Sequence, residues 1–296
     1  MYRSGFVSII GRPNVGKSTF LNTMVGFKAA IISDKPQTTR NLIRAVLTTD
    51  SYQVVFVDTP GIHKPKHKLG NFMVNSARNT IGDGDVVLFM ADACEKPGKG
   101  DRFIIDLLQE IDAPVFLVLN KTDLVTPEVK EERLEAYGEL YPFHASFAIS
   151  ALYAENIAEI VSEIVNYLPE GPQYYPPEMV TDNPEYFTVS EIIREKVLNL
   201  TREEVPFSVA VDIEDMSFRE NRDLIDIMAV IYVERPSQKS ILIGKGGKML
   251  REVGARSRPE IEEFLGSQVY LDLWVKVNQD WRNRQRVLNS LGYRDD

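Results

Sequence analysis

The sequence predicts an α/β domain organised around a phosphate-binding loop, followed by a smaller α+β domain. Three observations carry this. The stretch Gly11-Arg12-Pro13-Asn14-Val15-Gly16-Lys17-Ser18 reads G-x-x-x-x-G-K-S and lies between the apolar run 6–10 and the helix-prone residues 19–24. Further apolar runs end in polar residues, as strands do where an open α/β sheet meets its ligand. A proline-rich passage at 168–177 suits neither a helix nor a central strand. It divides the chain into a first domain (1–168), a semi-rigid linker (169–184) and a second domain (185–296).

With 296 residues, 44% of them hydrophobic, the chain is long enough for two cores. One cysteine, Cys94, excludes an internal disulfide framework and a zinc knuckle, and fits a reducing cytoplasm. The N-terminus runs directly into the first strand, so no signal peptide is expected, and any membrane contact is expected to be peripheral. The net charge of -9 argues against a broad nucleic-acid-coating surface. Locally the sign reverses: Arg235, Lys239, Lys245, Lys248, Arg251, Arg256 and Arg258 stand against Glu252 alone, a balance of +6.

In the first domain, the strand at 6–10 feeds the glycine loop, whose backbone N–H groups from Gly11 to Thr19 are placed to wrap phosphates. Lys17 neutralises the β and γ charges, the Ser18 hydroxyl ligates Mg2+, and the helix N-terminus adds its dipole. The polar loop 29–40 ends in Thr38 and Thr39. Thr39 is the favoured second hydroxyl for Mg2+, a contact that would order the loop only in the triphosphate state. Strand candidates at 42–47 and 53–57 follow, the second running into Asp58-Thr59-Pro60-Gly61. Asp58 can hold Mg2+ through a water, and the Gly61 N–H can meet the γ-phosphate. Lys17, Thr39 and Gly61 are thus the catalytic candidates.

The continuous apolar run 85–92 reads as a strand buried on both faces, and 103–108 has helical periodicity. A strand at 114–119 leads into Asn120-Lys121-Thr122-Asp123. The Asp123 carboxylate can accept two hydrogen bonds from the guanine N1–H and amine, whereas adenine would leave it desolvated and unpaired. Asn120 supports the loop and the base edge, and the Lys121 stem can lie over the ring. A strand at 145–149 ends in Ser150-Ala151-Leu152, whose N–H groups can meet the guanine O6, and an amphipathic helix at 156–168 finishes the domain.

These five motifs, in this order and spacing, resemble those of the translation-factor-related small GTPases. The resemblance spans about 1–168 and implies a mostly parallel sheet with helices on both faces. One departure matters: many relatives carry glutamine after D-x-x-G to orient the attacking water, and this chain has Ile62. Slow intrinsic hydrolysis is expected, since phosphoryl transfer depends on positioning and charge neutralisation. Asn14 resembles the asparagine with which some of these GTPases hold K+ near the phosphates. The following segment His63-Lys64-Pro65-Lys66-His67-Lys68 is a basic loop, either solvated or touching RNA phosphate; two histidines without carboxylates make a poor metal site.

The second domain reads as a helix at 188–200, strands at 207–213 and 226–234, a short helix, a glycine turn, a helix at 248–265 and a strand at 269–277. At its centre, Ile243-Gly244-Lys245-Gly246-Gly247-Lys248 and Arg251 form a glycine turn inside the +6 window. Glycines admit a sugar-phosphate chain closely and the cations neutralise it. The arrangement resembles a type II-like KH domain, whose G-x-x-G loop clamps about four single-stranded nucleotides. Ile241, Ile243 and Met249 are either a groove for bases or core. A second phosphate loop is the rival reading, but the earlier glycine and the following Ser or Thr are missing. The tail 280–288 is a basic amphipathic stretch for RNA, a membrane surface or solvent.

Taken whole, the chain resembles the Era family of bacterial GTPases. That resemblance implies a monomeric cytoplasmic protein using GTP, GDP and Mg2+. It further implies binding to the single-stranded 3′ region of small-subunit (16S) ribosomal RNA and assistance to rRNA maturation and small-subunit assembly, with peripheral membrane contact open. Two alternatives remain at this level: a membrane-associated signalling GTPase whose second domain binds protein, and a GTP-driven RNA-processing enzyme. The latter finds no metal-ligand cluster or nucleophile constellation in the second domain.

Overall fold

The computed structural model describes residues 1–62, 64–65, 67–219 and 223–294. His63 and Lys66 of the basic loop lie outside the described residues. Two compact units are present, the first made of most residues up to Asp182 and the second chiefly of residues from Asn183 onward.

The first unit runs β1 (Arg3–Gly11), α1 (Lys17–Val25), β2 (Ile43–Thr48), β3 (Tyr52–Asp58), α2 (Lys68–Asp83), β4 (Val86–Asp92), α3 (Lys99–Leu108), β5 (Val115–Asn120), α4 (Pro127–Gly138), β6 (Ala145–Ala148) and α5 (Ile157–Tyr167). The six strands order as β2-β3-β1-β4-β5-β6. Only β2 runs antiparallel to its neighbour, so the sheet is mostly parallel. Every residue of β4 and β5 is buried, as helices on both faces require.

Register places the chemistry. Asp58 lies beside Ile9, Gly11 beside Met90, and Asn120 beside Asp92, so three motifs reach one edge of the sheet at similar height. Strand ends fall within a few residues of the expected ones. Two helices escaped the periodicity: α4 buries only Arg133 and Tyr137 of its twelve residues, leaving no apolar stripe to read. In α2, the buried Leu69, Met73, Ala77 and Ile81 do recur at fours, behind the basic run that suggested a loop.

The passage after α5 is not a free spacer. Ser4 N–H donates to Pro169 O (3.1 Å) and Gly171 N–H to Tyr2 O (3.1 Å). Ser4 Oγ donates to Pro172 O (2.6 Å). Gln53 Oε1 accepts from the N–H groups of Tyr174 (2.7 Å) and Tyr175 (3.0 Å), and Val46 N–H reaches Val180 O (2.8 Å). Proline lacks an N–H but keeps its carbonyl, so a proline-rich strand can still be bound along an edge as an acceptor. Residues 169–182 thus belong to the first unit rather than to a linker.

The second unit comprises α6 (Glu185–Leu200), β7 (Ala210–Phe218), β8 (Leu224–Val233), α7 (Pro236–Ile243), α8 (Lys248–Leu265), β9 (Gln268–Val277) and α9 (Gln285–Ser290). The sheet orders β7-β8-β9, with β7 antiparallel and β9 parallel to β8. Val189, Ile193 and Val197 of α6 and Val253 and Ile261 of α8 cover Ile225, Ile227, Ala229, Ile231 and Val233, the alternate residues of β8.

The tail corrects its sequence reading. Trp281 is fully buried, donates from Nε1 to Ser208 O (2.8 Å) and stacks on Tyr293, and Leu288 is buried beside it. Arg282 is ion-paired with Glu234. The stretch is part of the second core, with only its remaining polar residues toward solvent. Trp281→Ala should therefore destabilise the chain by about 3–5 kcal/mol in chemical denaturation followed by circular dichroism. An unchanged midpoint would return the tail to the surface.

Candidate functional site

The phosphate loop is held from three sides. Gly16 takes φ +99°, and a Cβ there would overlap Asn120 Nδ2, so only glycine lets the loop pass. Ile62 N–H donates to Gly11 O (3.2 Å), and a Cβ on Gly61 would lie 2.7 Å from the Pro13 backbone. The D-x-x-G segment thus packs directly on the loop. Arg12 turns its side chain aside, to the buried Asp101 (2.9 Å) and to Glu95 (2.7 Å), and contributes its carbonyl to the site. Val15 is buried, while Asn14 is exposed at φ +66°. Ser18 and Thr19 lie in the first turn of α1.

Lys17 is buried with its Nζ donating to Arg12 O (2.9 Å) and Gly11 O (3.2 Å). Burial pulls its pKa down to about 8, against the opposing charge of Asp58. Asp58 is itself buried, which pushes its carboxyl above the usual range, against Lys17 and the hydroxyls of Ser18 and Thr39. Ser18 Oγ donates to Asp58 Oδ2 (2.7 Å) and lies 2.8 Å from Thr39 Oγ1, which also reaches Asp58 Oδ2 at 3.4 Å. Three candidates from three separate segments are therefore in mutual contact. Asp58 Oδ1 is buried without a hydrogen-bond partner. Two hydroxyls and a carboxylate with one unsatisfied oxygen fit a hard cation such as Mg2+. Thr38, beside Thr39, is buried.

On the base side, Asn120 Nδ2 donates to Val15 O (2.9 Å) and its Oδ1 accepts from Ala151 N–H (2.9 Å). One carboxamide thus ties the phosphate loop to the last motif. Ala151 N–H, one of the three N–H groups expected near the guanine O6, is held here by Asn120. Ser150 is buried and Leu152 is exposed. Lys121, at φ +65°, is ion-paired with Asp92 (2.6 Å), and Asp123 is exposed in the short turn Thr122–Leu124.

Three residues of the site were not read from the sequence. Asp92 ends β4 just as Asp58 ends β3, so the signal was present. Asn22 clamps both backbone groups of Ala30 (2.7 and 2.9 Å), and Thr23 Oγ1 donates to Ala151 O (2.8 Å). Neither carries any mark beyond being a polar residue in a helix. Ile62, which replaces the expected glutamine, is buried against the core containing Ala77, Ile81 and Phe89.

In the second unit, Gly244, Gly246 and Gly247 take φ +71°, +61° and +75° between α7 and α8. A Cβ on Gly244 would lie 2.8 Å from that of Met249, whereas Gly246 and Gly247 face open space. Lys245, Lys248 and Arg251 are exposed, and Arg251 Nη2 donates to Gly246 O (2.9 Å), bracing the turn. The apolar candidates sort themselves: Ile243 packs on the core, Met249 lies half-buried against Gly244, and Ile241 is exposed.

Residues 6–121 match the family described as 50S ribosome-binding GTPase, and residues 204–282 match the KH domain. Fold and site together define a P-loop GTPase carrying a KH domain. Among solved structures, the chain is similar to Era in complex with MgGDPNP and nucleotides 1506–1542 of 16S ribosomal RNA, at 41% identity over 99% of both chains and a TM-score of 0.97. It is also similar to an Aquifex aeolicus Era variant bound to GDP·AlF4−, at 40% identity over 98% of this chain and 99% of that one, TM-score 0.94. The chain belongs to the Era family of GTPases.

The depressed Lys17 pKa has a consequence for nucleotide binding. Phosphate charge raises it again, so binding takes up a proton at pH values above about 8, and affinity falls as pH rises past that point. Calorimetry at a pH of about 8.5 in buffers of different ionisation enthalpy should show net uptake. Buffer-independent heats would mean that Lys17 is already charged in the free protein.

Proposed function

We propose that the first unit binds and hydrolyses GTP, that the second binds single-stranded RNA from the 3′ region of small-subunit ribosomal RNA, and that the protein assists maturation of that RNA and assembly of the small subunit. The carrying observation is the contact among Ser18, Thr39 and Asp58. Thr39 brings loop 29–40 to the cation site, which gives the loop a reason to differ between triphosphate and diphosphate states. The relative bound to MgGDPNP and 16S nucleotides supports both ligand classes, and the KH match supports the RNA half.

In this reading Ser18 and Thr39 would hold Mg2+, with Asp58 helping through a water; the ion, when bound, would neutralise phosphate charge. Lys17 gives up its loop carbonyls for the β and γ oxygens. The Gly61 N–H, fixed against Pro13, meets the γ-phosphate. Asp123 reads the guanine edge, with Lys121 held in place by Asp92. The residue that follows Gly61, Ile62, lies in the core and cannot orient water, so intrinsic turnover is slow. Asn14, exposed on the loop, is the candidate for K+, which would add positive charge at the transferred phosphoryl. Gly246 and Gly247 admit the RNA backbone, with Lys245, Lys248 and Arg251 neutralising it.

The signalling alternative, with a second unit that binds protein in place of RNA, is not favoured beside the RNA-bound relative. No helix among the described residues is long and apolar enough to cross a membrane. The exposed Arg284 and Arg286 are the tail residues open to peripheral contact.

A 3′-terminal small-subunit RNA fragment should bind more tightly than its scrambled control, and more tightly with a non-hydrolysable GTP analogue than with GDP. Gly246→Asp should weaken it at least tenfold or so, by placing a carboxylate against phosphate. Equal binding of both RNAs in both nucleotide states would remove the coupled reading. GTP turnover should be faster in potassium than in sodium buffer, and Asn14→Ala should abolish the difference; equal turnover in the two salts eliminates the K+ role.

A further inference from the structure

The KH unit is basic around its glycine turn, where residues 235–258 hold the +6 window, while the outward face of the sheet is acidic and aromatic. That face consists of the residues alternating with the core-facing ones. The ladder sets Asp226 beside Tyr270, Met228 beside Asp272, Val230 beside Trp274 and Tyr232 beside Lys276, with Asp215 opposite Met228 and Asp212 opposite Val230. The bulge between Ile213 and Asp215 brings Glu214 to the same side, where it pairs with Lys276 (2.6 Å). Asp212, Glu214, Asp215, Asp226 and Asp272 stand against Arg219 and Lys276, a balance of −3.

Two aromatic residues rise from this acidic field, four positions apart on β9: Tyr270 is 57% and Trp274 is 55% exposed. The face already shows how it receives a cation. Arg219 donates from Nε to Asp226 Oδ2 (2.8 Å) while its guanidinium lies 5.6 Å over the Tyr270 ring. Four residues along the strand, Trp274 Nε1 donates to Asp272 Oδ2 (2.9 Å), so that a carboxylate and a ring edge are again held side by side. Partial burial and the neighbouring Glu214 charge push the Asp212 carboxyl above its ordinary range, as expected of a surface with surplus negative charge.

We propose that this face docks an arginine-rich segment of another protein, with a guanidinium stacked on Trp274 and bonded to Asp272, and further cations taken by Asp215 and Asp212. Arginine suits the site better than lysine because its planar fork can stack on the ring and bond the carboxylate together. RNA is disfavoured: bases stacked on Tyr270 and Trp274 would bring their phosphates against the carboxylates. The two faces are therefore independent, one for nucleic acid and one for a basic polypeptide.

The test uses the full chain and a dye-labelled peptide of alternating arginine and glycine, read by fluorescence anisotropy at physiological salt. Saturable binding is expected, weakened about tenfold or more by Trp274→Ala and by the pair Asp215→Asn and Asp272→Asn, retained in Trp274→Phe, and weaker for the lysine–glycine analogue. Removing the same charge from the exposed Glu131 and Glu135 of α4 should change nothing. Of the two tryptophans, Trp281 is buried, so peptide should perturb the emission of Trp274 alone, an effect absent in Trp274→Phe. Equal affinity in Trp274→Ala, an equal loss in the α4 control, or displacement of the peptide by a single-stranded RNA oligonucleotide would each overturn the proposal, the last by making nucleic acid the occupant.

Discussion

Two opposite charges buried at one end of a sheet set the terms for the first unit. An isolated ion moved into a protein interior costs several kcal/mol, and pairing recovers that only with good hydrogen bonds to both partners. Lys17 has two loop carbonyls and Asp58 has two hydroxyls, yet Asp58 keeps one oxygen unsatisfied. The arrangement is incomplete by itself, and in the proposed reading a polyphosphate and its cation complete it. The wholly buried strands β4 and β5 beside it, and the strand β3 that ends in Asp58, provide the rigid apolar framework that tolerates it.

Around that pair, connections are made by single side chains serving two loops. Asn120 joins the phosphate loop to Ala151, Thr23 joins α1 to the same loop, and Asn22 fixes Ala30 at the start of the segment that carries Thr39. Such bonds couple regions far apart in sequence without making them equally rigid. The glycine turn of the second unit follows the opposite logic. Its functional backbone is open, its cations are solvated, and one arginine braces it. A small ligand rewards enclosure; a polymer passing across a surface requires access.

Much of this was legible because the phosphate loop, Asp58 and Asn120 sit at strand ends, and a parallel sheet brings such ends to one edge whatever the intervening chain does. What was hidden lacked a period or a spacing. Helix α4 turns Arg133 and Tyr137 inward, so its pattern is not apolar. The residues near Trp281 are charged enough to read as surface, although one buried indole and one buried leucine decide their place. Proline-rich residues 169–182 signal the absence of helix and say nothing of the hydrogen bonds, given and accepted, that hold them to β1, β2 and β3.

The central claim is that Asp58 makes Ser18 and Thr39 one cation site. The most direct measurement is the Mg2+ dependence of GTP-analogue release in wild type and in Asp58→Asn, followed with a fluorescent nucleotide. Release from the wild type should slow as Mg2+ is added, while Asp58→Asn should bind nucleotide without the ion and show little response to it. A variant that keeps the full Mg2+ response would mean that Asp58 serves the fold alone, and would contradict the account.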